Sequence, residues 1–401
     1  MPRLRPTPLA RSNLTHNLRR LAVAVAGIGF AVVLMFMQLG FRSALFDSTV
    51  KVVADLDADL LLVNKAQYAL PARQSFDYKR IAQARGCGGV AAVYPLYTET
   101  MGTDWQPAPD PTKRVADAKP YPIRVLAFNL DDPVFLTPEI RAQTEALREP
   151  GTALIDSRSK KQYGIPKTIE MVRRMQGEEL ASQSIRLVGT FPMGTDFAND
   201  GNLIMSTANL VKFFPYRAMG SDPLGSVDLG IVRVAPGADL QEVRRGLQSR
   251  FQDTELAVYT KQDFIRKEIG FWDRSTPIGY IFGIGTIMGF IVGVIICYQV
   301  IYSDIADHMP EFATLKAMGY RNRFFMGIVL QMALYLSVIG YVPGLLISML
   351  VYDRLAHGTG LLLNMTLPEA GLVFVLTLGM CIASGCLAMR KVLAADPAEL
   401  F

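Results

Sequence analysis

Apolar residues are concentrated in four long runs, and polar residues fill the stretches between them. A transmembrane helix needs roughly 20 mostly apolar residues. The first run is longer than the roughly 7–15-residue apolar core of a signal peptide, and no small-residue cleavage pattern follows it, so we expect it to remain as an anchor. In the third run, Pro343 predicts a helix kink. We therefore predict four membrane-spanning helices, at 21–42, 277–302, 324–352 and 370–389.

The polar stretch between the first two runs, residues 43–276, alternates between strand-like and helix-like patterns. Residues 236–251 place apolar side chains at helical spacing, which predicts an amphipathic helix. A mobile loop is expected at 101–120, where Pro and Gly are frequent. Short segments rich in Val, Ile, Leu and Tyr predict six strands, at 57–65, 90–100, 121–130, 152–156, 183–191 and 225–234. The stretch is therefore predicted to be an α+β domain of one or two lobes.

Both ends of this domain are predicted to be helices that continue the neighbouring spans. Before the second span, the segment 260–277 opens with Thr260, a residue type whose side-chain oxygen caps helix N-termini. After the first span, one apolar residue recurs per helical turn, at Phe46, Val50, Val53 and Leu56. We expect these two stalk helices to tie the domain to the membrane part.

The charge distribution predicts which side of the membrane each segment faces. Charged residues make up 19% of the chain, below the roughly 25% of soluble domains, and the net charge is +5. Residues 43–276 hold 29 basic and 29 acidic residues, so the excess positive charge lies in the short flanks. Because Lys and Arg favour the cytoplasmic side, the flank 1–20, the loop 303–323 and the tail 390–401 are predicted to be cytoplasmic. Residues 43–276 and the loop 353–369 are then outside.

The predicted fold class is thus a membrane protein with four transmembrane α-helices. A large α+β extracytoplasmic domain is inserted between helices 1 and 2.

Glycines recur along the second predicted span, and three of their spacings are G-x-x-x-G. This spacing lets two helix backbones approach closely. The pattern fits packing within one chain and equally a homodimer seam, and the sequence leaves both open. The glycines are Gly279, Gly283, Gly285, Gly289 and Gly293.

The loop 303–323 contains a short predicted helix. Pro310 suits the first helical position because it has no N–H to satisfy. Glu311 in the first turn and Lys316 further along complement the helix dipole. Gly319 suits the position just after the helix. Its apolar face is formed by Phe312, Leu315 and Met318. This face predicts either a helix lying on lipid or on the ends of the spans, or a contact surface for a cytoplasmic partner.

The sequence offers little catalytic chemistry. The domain lacks histidine, the commonest general base and metal ligand, since the three histidines are His16, His308 and His357. Asp196 and Asp200 miss the spacing of a calcium loop and predict a turn. Thr137 is expected to cap a helix that begins at Pro138. Only Cys87, of four cysteines, lies in the domain, which excludes an internal disulfide there. We predict no catalytic residue and no metal site.

A nucleotide-binding function is also not predicted. The 401 residues contain no G-x-x-x-x-G-K-[ST] phosphate-binding loop, so any ATP-driven action needs another chain. No basic stripe with interleaved aromatic residues indicates nucleic-acid binding.

The order of the elements resembles one family of membrane proteins. The chain has one span, a large outer domain and three further spans, with a Glu-x-x-x-Leu-Lys-Ala-x-Gly helix between the second and third spans. It closes on "DPAELF", which is similar to an Asp-Pro-Ala ending. It resembles the FtsX/MacB-type (type VII) permeases of ABC transporters, and in finer detail their DevC-like branch. The finer matches are "AGIGFAVVLMFMQLGFRSALFDS" (26–48), "DADLLLVNK" (57–65), "DDPVFLTPE" (131–139) and "EFATLKAMGY" (311–320).

The resemblance implies a non-catalytic permease subunit that forms a homodimer. It would work with a dimer of P-loop ATPase subunits, which would bind ATP and magnesium. Only about twenty residues precede the first span, so a separate ATPase chain is expected. Phe312, Leu315 and Met318 would sit in a cleft of the ATPase, with Glu311 and Lys316 at its rim.

The resemblance further implies a bacterial inner-membrane location and both termini in the cytoplasm. A periplasmic adaptor and a TolC-like outer-membrane channel would complete an export path for a lipid or amphiphile, a glycolipid in the DevC branch. The substrate-contacting residues stay unknown. Two alternatives remain: a lipoprotein-releasing or cell-division-type permease that acts by mechanotransmission, and a membrane-anchored sensor without an ATPase.

Overall fold

The computed structural model describes residues 18–107, 120–166, 168–218, 222–359 and 363–394. These residues form two compact units. One unit contains the long helices, from 1–44, 277–356 and 363–401, and the other is the α+β domain, from 45–276 with 357–362. The predicted flank before residue 18 and the "DPAELF" ending lie outside the described residues.

The described residues contain eleven α-helices and fourteen strands. The helices are α1 Leu18–Ala54, α2 Lys79–Arg85, α3 Pro138–Arg141, α4 Ile169–Arg173, α5 Thr207–Phe213, α6 Leu240–Arg250, α7 Lys261–Ser275, α8 Ile278–Asp307, α9 Met309–Ala317, α10 Asn322–Thr359 and α11 Leu367–Ala394. The strands are β1 Leu60–Asn64, β2 Phe76–Asp77, β3 Val90–Glu99, β4 Asp104–Gln106, β5 Tyr121–Pro122, β6 Arg124–Phe128, β7 Thr152–Asp156, β8 Glu179–Leu180, β9 Gln183–Ser184, β10 Arg186–Phe191, β11 Asn202–Ser206, β12 Ser226–Val227, β13 Leu229–Val234 and β14 Leu256–Thr260.

Four helices are long and apolar enough to cross a membrane, which confirms the predicted number of spans. The apolar stretches are Leu21–Ala54, Ile278–Asp307, Arg323–Ala356 and Leu367–Arg390, in α1, α8, α10 and α11. Pro343 lies inside α10, which continues on both sides of it.

The four long helices pack so that α1 and α11 each contact both α8 and α10. At Gly289 of α8 the chain lies close to Met35 of α1. The Ser384 hydroxyl of α11 donates to the Val294 carbonyl of α8 at 2.7 Å. The α10 contacts are hydrogen bonds from the Tyr352 hydroxyl to the Phe36 carbonyl, and from the Tyr341 hydroxyl to the Ala370 carbonyl. Helices α8 and α10 therefore each lie between α1 and α11.

The α+β domain is built on an eight-stranded mixed sheet with the order β10-β7-β11-β6-β3-β13-β1-β14. The pairs β10/β7 and β11/β6 are parallel, and the other neighbours are antiparallel. All six predicted strand segments contain strands of this sheet, which confirms them. The prediction missed the central strand β11, the edge strand β14 and the short strands β2, β4 and β8.

Both faces of the large sheet are buried under apolar side chains. Leu60 and Leu62 of β1 belong to one core cluster, which also contains Ile81 of α2 and Leu247 of α6. Their neighbours Leu61 and Val63 point to the other face. There they join the end of α1 and Phe264 of α7. Because successive strand residues alternate between faces, this burial pattern fixes the register of β1.

The two predicted stalk helices are present. The Thr260 hydroxyl accepts from the Asp263 backbone N–H at 3.0 Å, which confirms the predicted cap of α7. The first stalk is the end of α1, and its four predicted apolar positions are all buried. The helix itself stops at Ala54, so Leu56 lies beyond it and pairs with Phe135 in a β-bridge.

Three local predictions need correction. The helix predicted at 236–251 begins only at Leu240, because Gly237 has a positive φ of 85° and interrupts the helical path before Asp239 caps it. The loop predicted at 101–120 contains strand β4, and residues 108–119 lie outside the described part. Helix α3 does begin at Pro138, but the Thr137 side chain makes no capping hydrogen bond, and its carbonyl oxygen accepts from the first turn instead.

The predicted turn at Asp196 is confirmed, and it carries a buried ion pair. The Asp196 carboxylate accepts from the backbone N–H groups of Ala198 and Asn199, both at 2.8 Å. It also pairs with Arg124 of β6 at 2.6 Å. Asp200 pairs separately with Lys160 at 2.6 Å. The two carboxylates therefore have different basic partners.

Helix α7 is fixed to the domain by the buried carboxylate of Glu268. This carboxylate accepts the Leu70 backbone N–H at 3.0 and 3.1 Å and the Trp272 indole N–H at 2.9 Å. Burial raises the pKa of Glu268, because desolvation of the ionised carboxylate outweighs these hydrogen bonds and the nearby Lys267 charge. The contact therefore links the charge state of one side chain to the stability of the stalk.

We predict a pH dependence of stability from Glu268. Between the ordinary Glu pKa of about 4.3 and the higher folded-state pKa, the folded protein holds more protons than the unfolded one. The free energy of unfolding should therefore fall as pH rises through this interval. Glu268→Gln cannot titrate and should lose this part of the slope. Thermal unfolding of the purified protein in detergent, measured between about pH 4 and pH 7, tests this.

The matched control is Glu242→Gln, which removes a carboxylate from an exposed position of α6. It should keep the wild-type slope. An unchanged slope in Glu268→Gln would contradict the assignment.

Candidate functional site

The predicted short helix between the second and third spans is α9, Met309–Ala317. Only His308 separates it from the end of α8 at Asp307. Pro310 is the second residue of the helix, one position later than predicted, and still lies in the first turn, where its missing N–H costs nothing. The Glu311 backbone N–H donates to the His308 carbonyl at 3.1 Å, so the helix begins directly after His308.

The end of α9 is fixed by Gly319, as predicted. Gly319 has a φ of 92°, a conformation that other residues rarely adopt. The Tyr320 backbone N–H reaches back to the Leu315 carbonyl at 3.2 Å, and the Met318 N–H donates to Thr314 at 3.0 Å. This six-to-one hydrogen bond with a left-handed glycine is a Schellman ending. The chain therefore leaves α9 in a defined direction.

The described side chains of α9 present polar and apolar groups together. The Glu311 carboxylate is exposed, and its Oε1 lies 3.3 Å from Nδ1 of His308. Leu315 is half-buried, and Met318, just after the helix, is 63% exposed. The side chains of Phe312 and Lys316 lie outside the described part of the chain. Among the described side chains, Leu315 and Met318 belong to the predicted apolar face.

Two aromatic residues that the sequence analysis missed extend this apolar surface. Tyr320 and Phe324 are 46% and 39% exposed, and their ring centroids lie 4.7 Å apart. With Met318 they form what we call the 318–324 cluster. The exposed Arg321 and Arg323 lie between the two aromatic residues in sequence. The four-residue spacing of Tyr320 and Phe324 is the sequence signal that could have identified these two residues.

The glycines of the second span differ in what surrounds them. A Cβ added at Gly289 would lie 3.2 Å from Met35 of α1. At Gly293 it would collide with the Met380 sulfur of α11, and at Gly285 with the Gln38 amide of α1. At Gly283 nothing lies within 4 Å. Gly279, in the first turn of α8, is half-buried. Three of the five glycines therefore serve packing within the chain, while a dimer seam on this face remains a prediction.

A second pair of glycines was not singled out from the sequence. Gly340 and Gly344 of α10 form a G-x-x-x-G step that faces α1. A Cβ at Gly344 would lie 2.7 Å from Val32, and one at Gly340 would collide with Ile28. Helix α1 thus meets glycines on both α8 and α10.

Within the described residues, no group of three or more His, Cys, Asp or Glu side chains is placed to hold a metal ion.

Part of the membrane unit is similar to a known protein family. Residues 283–397, from α8 through α9, α10 and α11, match the family FtsX-like permease C-terminal. A search of curated proteins gives no match.

Two solved structures are similar to part of this chain. One is the periplasmic region of MacB from Actinobacillus actinomycetemcomitans, with 9% identity, a TM-score of 0.33, and coverage of 53% of this chain and 92% of that chain. The other is the extracellular domain of the noncanonic ABC-type transporter YknZ from Gram-positive bacteria, with 11% identity, a TM-score of 0.31, and coverage of 50% and 99%.

We predict that the tight glycine contacts are required for folding of the membrane part. Gly293→Val adds atoms against Met380 and Ala31 and should lower the free energy of unfolding by about 1–3 kcal/mol. Gly283→Val makes the same change on the same helix where nothing lies within 4 Å, and should cost less than about 1 kcal/mol. Thermal unfolding in detergent compares the two. Equal losses would contradict the packing role of Gly293.

The family match covers the second, third and fourth spans, and the first span with its inserted domain completes the predicted arrangement. The second, third and fourth spans are therefore similar to the C-terminal part of FtsX-like permeases.

Proposed function

We propose that this permease transmits motion from a separate ATPase subunit to its α+β domain, and that this motion drives export of a lipid or amphiphile. The observation that carries the proposal is α9. It lies within the matched family region, has defined ends, and is joined to the second span by one residue, His308.

The ATPase contact would combine apolar and charged groups of α9. Phe312, Leu315 and Met318 would enter a cleft of the ATPase, with Glu311 and Lys316 at its rim. The exposed 318–324 cluster supports this, because it adds two aromatic rings to the apolar surface beside α9. Aromatic residues are enriched in the cores of protein–protein interfaces.

The energy would come from the partner. The chain has no phosphate-binding loop, so ATP and magnesium would be bound by a dimer of ATPase subunits. Two copies of the permease would then serve the two ATPase subunits. The permease itself would be a non-catalytic subunit.

The motion would reach the outer domain along helices. Helix α9 is followed back along the chain by α8 and then by α7, with only Thr276 and Pro277 between the last two. Glu268 ties α7 to the Leu70 segment of the domain. This series of helices favours mechanotransmission over a conduction pathway through the spans.

The export path and location rest on the DevC-like sequence matches. They favour a bacterial inner-membrane protein with a large periplasmic domain, a periplasmic adaptor and a TolC-like outer-membrane channel. A glycolipid is the cargo that this branch suggests. Loss of one lipid class from the surface of a deletion strain would identify the cargo.

We predict that a charge on the apolar face of α9 abolishes ATPase binding. Leu315→Asp or Phe312→Asp would bury an unpaired carboxylate in the contact, and should reduce co-purification of a co-expressed P-loop ATPase at least about tenfold. Membrane insertion should be unchanged. The measurement is a pull-down from detergent-solubilised membranes with the tagged permease.

The control is Leu367→Asp, which makes the same change at an exposed position at the start of α11. It should bind the ATPase as the wild type does. Wild-type recovery with Leu315→Asp and Phe312→Asp would reject the docking role, and absence of any ATPase with the wild type would favour the sensor alternative.

We predict that the C-terminus is cytoplasmic. A reporter fused after Arg390 should be active as a cytoplasmic fusion, because the flanks of the spans carry the excess positive charge. A fusion after Gln252, in the exposed turn that follows α6, should report the opposite side. The reverse pattern would overturn the proposed orientation.

A further inference from the structure

Five aromatic side chains form a connected cluster around the two stalk helices. The Phe197 ring lies between the stalks: its centroid is 6.1 Å from that of Phe46 on α1 and 5.2 Å from that of Trp272 on α7. The Trp272 ring also meets Phe271 at 5.4 Å, and Phe271 meets Tyr68 at 5.3 Å. We call these five residues the stalk ring cluster.

Phe197 comes from the outer domain, and its turn is held by buried polar contacts. The preceding residue, Asp196, is bound by Arg124 and by two backbone N–H groups, as described above. The buried Asp156 carboxylate holds the start of the turn, because it accepts the Gly194 N–H at 2.7 Å. The fold therefore determines where this ring lies.

The two stalks independently place the cluster just outside the hydrocarbon core. Along α1, Phe46 comes four residues after Arg42, where the predicted first span ends, which is about 6 Å along the helix. Along α7, Trp272 lies three residues, about 5 Å, before the helix ends at Ser275, and the second span is predicted to begin at Pro277. The headgroup layer on each side of the core is about 5–8 Å thick. Both helices therefore put their rings at headgroup level.

The groups around the cluster suit phospholipid headgroups. Tyr68 is 59% exposed, whereas Phe197 and Trp272 are half-buried. Arg274, two residues after Trp272, is exposed, and a guanidinium can bind a lipid phosphate. Trp and Tyr are enriched at this level in membrane proteins, because one part of each ring is apolar and the other polar. Rings combined with a guanidinium match a lipid surface.

We propose that the stalk ring cluster is a lipid-contact surface, and that the outer domain itself touches the lipid headgroups through Phe197. The proposal goes beyond the proposed function and does not depend on it, since it requires the two spans but neither an ATPase nor a cargo. Lipid, and not only the two stalks, then contacts the domain.

The competing explanation is a small apolar cluster that only packs the two stalks against the domain. Phe46 fits this explanation, because it is only 5% exposed. For Phe197 and Trp272 the two explanations differ. Simple packing keeps both rings out of reach of lipid, whereas a lipid-contact surface exposes them to a label at headgroup depth.

The experiment uses the two tryptophans of the chain. Trp105 is fully buried in β4, so Trp105→Phe leaves Trp272 as the sole emitter, and Trp272→Phe leaves Trp105 as the control. Each purified variant is reconstituted into phosphatidylcholine vesicles. The vesicles contain lipid that is spin-labelled at the headgroup or brominated deep in the acyl chains.

Trp272 should be quenched at least about twice as strongly by the headgroup label as by the bromine, because the two labels lie at different depths. Trp105 should be quenched by neither. A smaller ratio, or no quenching of Trp272, overturns the proposal. If Trp105→Phe does not fold, the emission of the wild type minus that of Trp272→Phe gives the same quantity.

A second pair of variants tests the ring of the domain itself. In a chain whose two tryptophans are replaced by phenylalanine, Phe197→Trp places the emitter in the turn. Tyr78→Trp is the matched control. Tyr78 is also an exposed aromatic residue of the domain, and its backbone bonds to Gly225, near the start of β13, whereas Leu60 after the first stalk pairs further along, with Val232.

The headgroup label should quench Phe197→Trp as it quenches Trp272, and should leave Tyr78→Trp unquenched. Equal quenching of Phe197→Trp and Tyr78→Trp would overturn the lipid contact of the domain. Because the vesicles hold the permease alone, neither result depends on whether an ATPase binds α9.

Discussion

The membrane part depends on the close approach of helix backbones at glycine. Lipid tails are as apolar as leucine, so there is no hydrophobic force that brings two spans together, and packing must supply the attraction. Glycine permits that packing because it has no side chain between the backbones. In this chain the glycines are placed around α1: Gly289 of α8 meets Met35, and Gly344 of α10 meets Val32. Tyr352 adds a hydrogen bond to the Phe36 carbonyl. The first span is thus the shared partner of the second and third.

This use of the glycines has a consequence for the opposite side of α8. Because the glycines of α8 pack against helices of the same chain, the larger side chains of α8 point away from them. Here most of the exposed ones are isoleucines, with Tyr280 and Met288 among them. The sequence alone suggested that the glycines could equally form a dimer seam, because G-x-x-x-G has the same meaning within and between chains. The surroundings of Gly289 and Gly293 favour the first use.

The spacing of apolar residues predicted the elements that bury one regular face. It failed where contacts between residues distant in sequence determine the structure. The apolar runs gave the spans, and the Val- and Leu-rich segments gave six strand regions. Strand β11 was missed because it begins with Asn202, a poor strand former, which is held there by hydrogen bonds to Asp156 at 2.7 Å and to the Gly194 carbonyl at 2.8 Å. Likewise, no local pattern brings Arg217 to Glu99 and Asp228, at 3.0 and 3.3 Å, across more than a hundred residues in the first case. At α9 the sequence predicted the helix and its glycine ending. It missed Tyr320 and Phe324 because Tyr320 follows α9 and Phe324 lies in the first turn of α10, so neither belongs to the predicted apolar face of α9.

The lengths of the two linkers on either side of α9 determine which neighbouring helix a displacement of α9 would move. One residue, His308, separates α9 from α8, and one residue spans at most about 3.6 Å. A displacement of α9 larger than that cannot be taken up by the linker and must move the end of α8. On the other side, residues 318–321 separate α9 from α10, so more displacement can be absorbed there. In the proposed mechanism, force from the ATPase therefore enters the second span first.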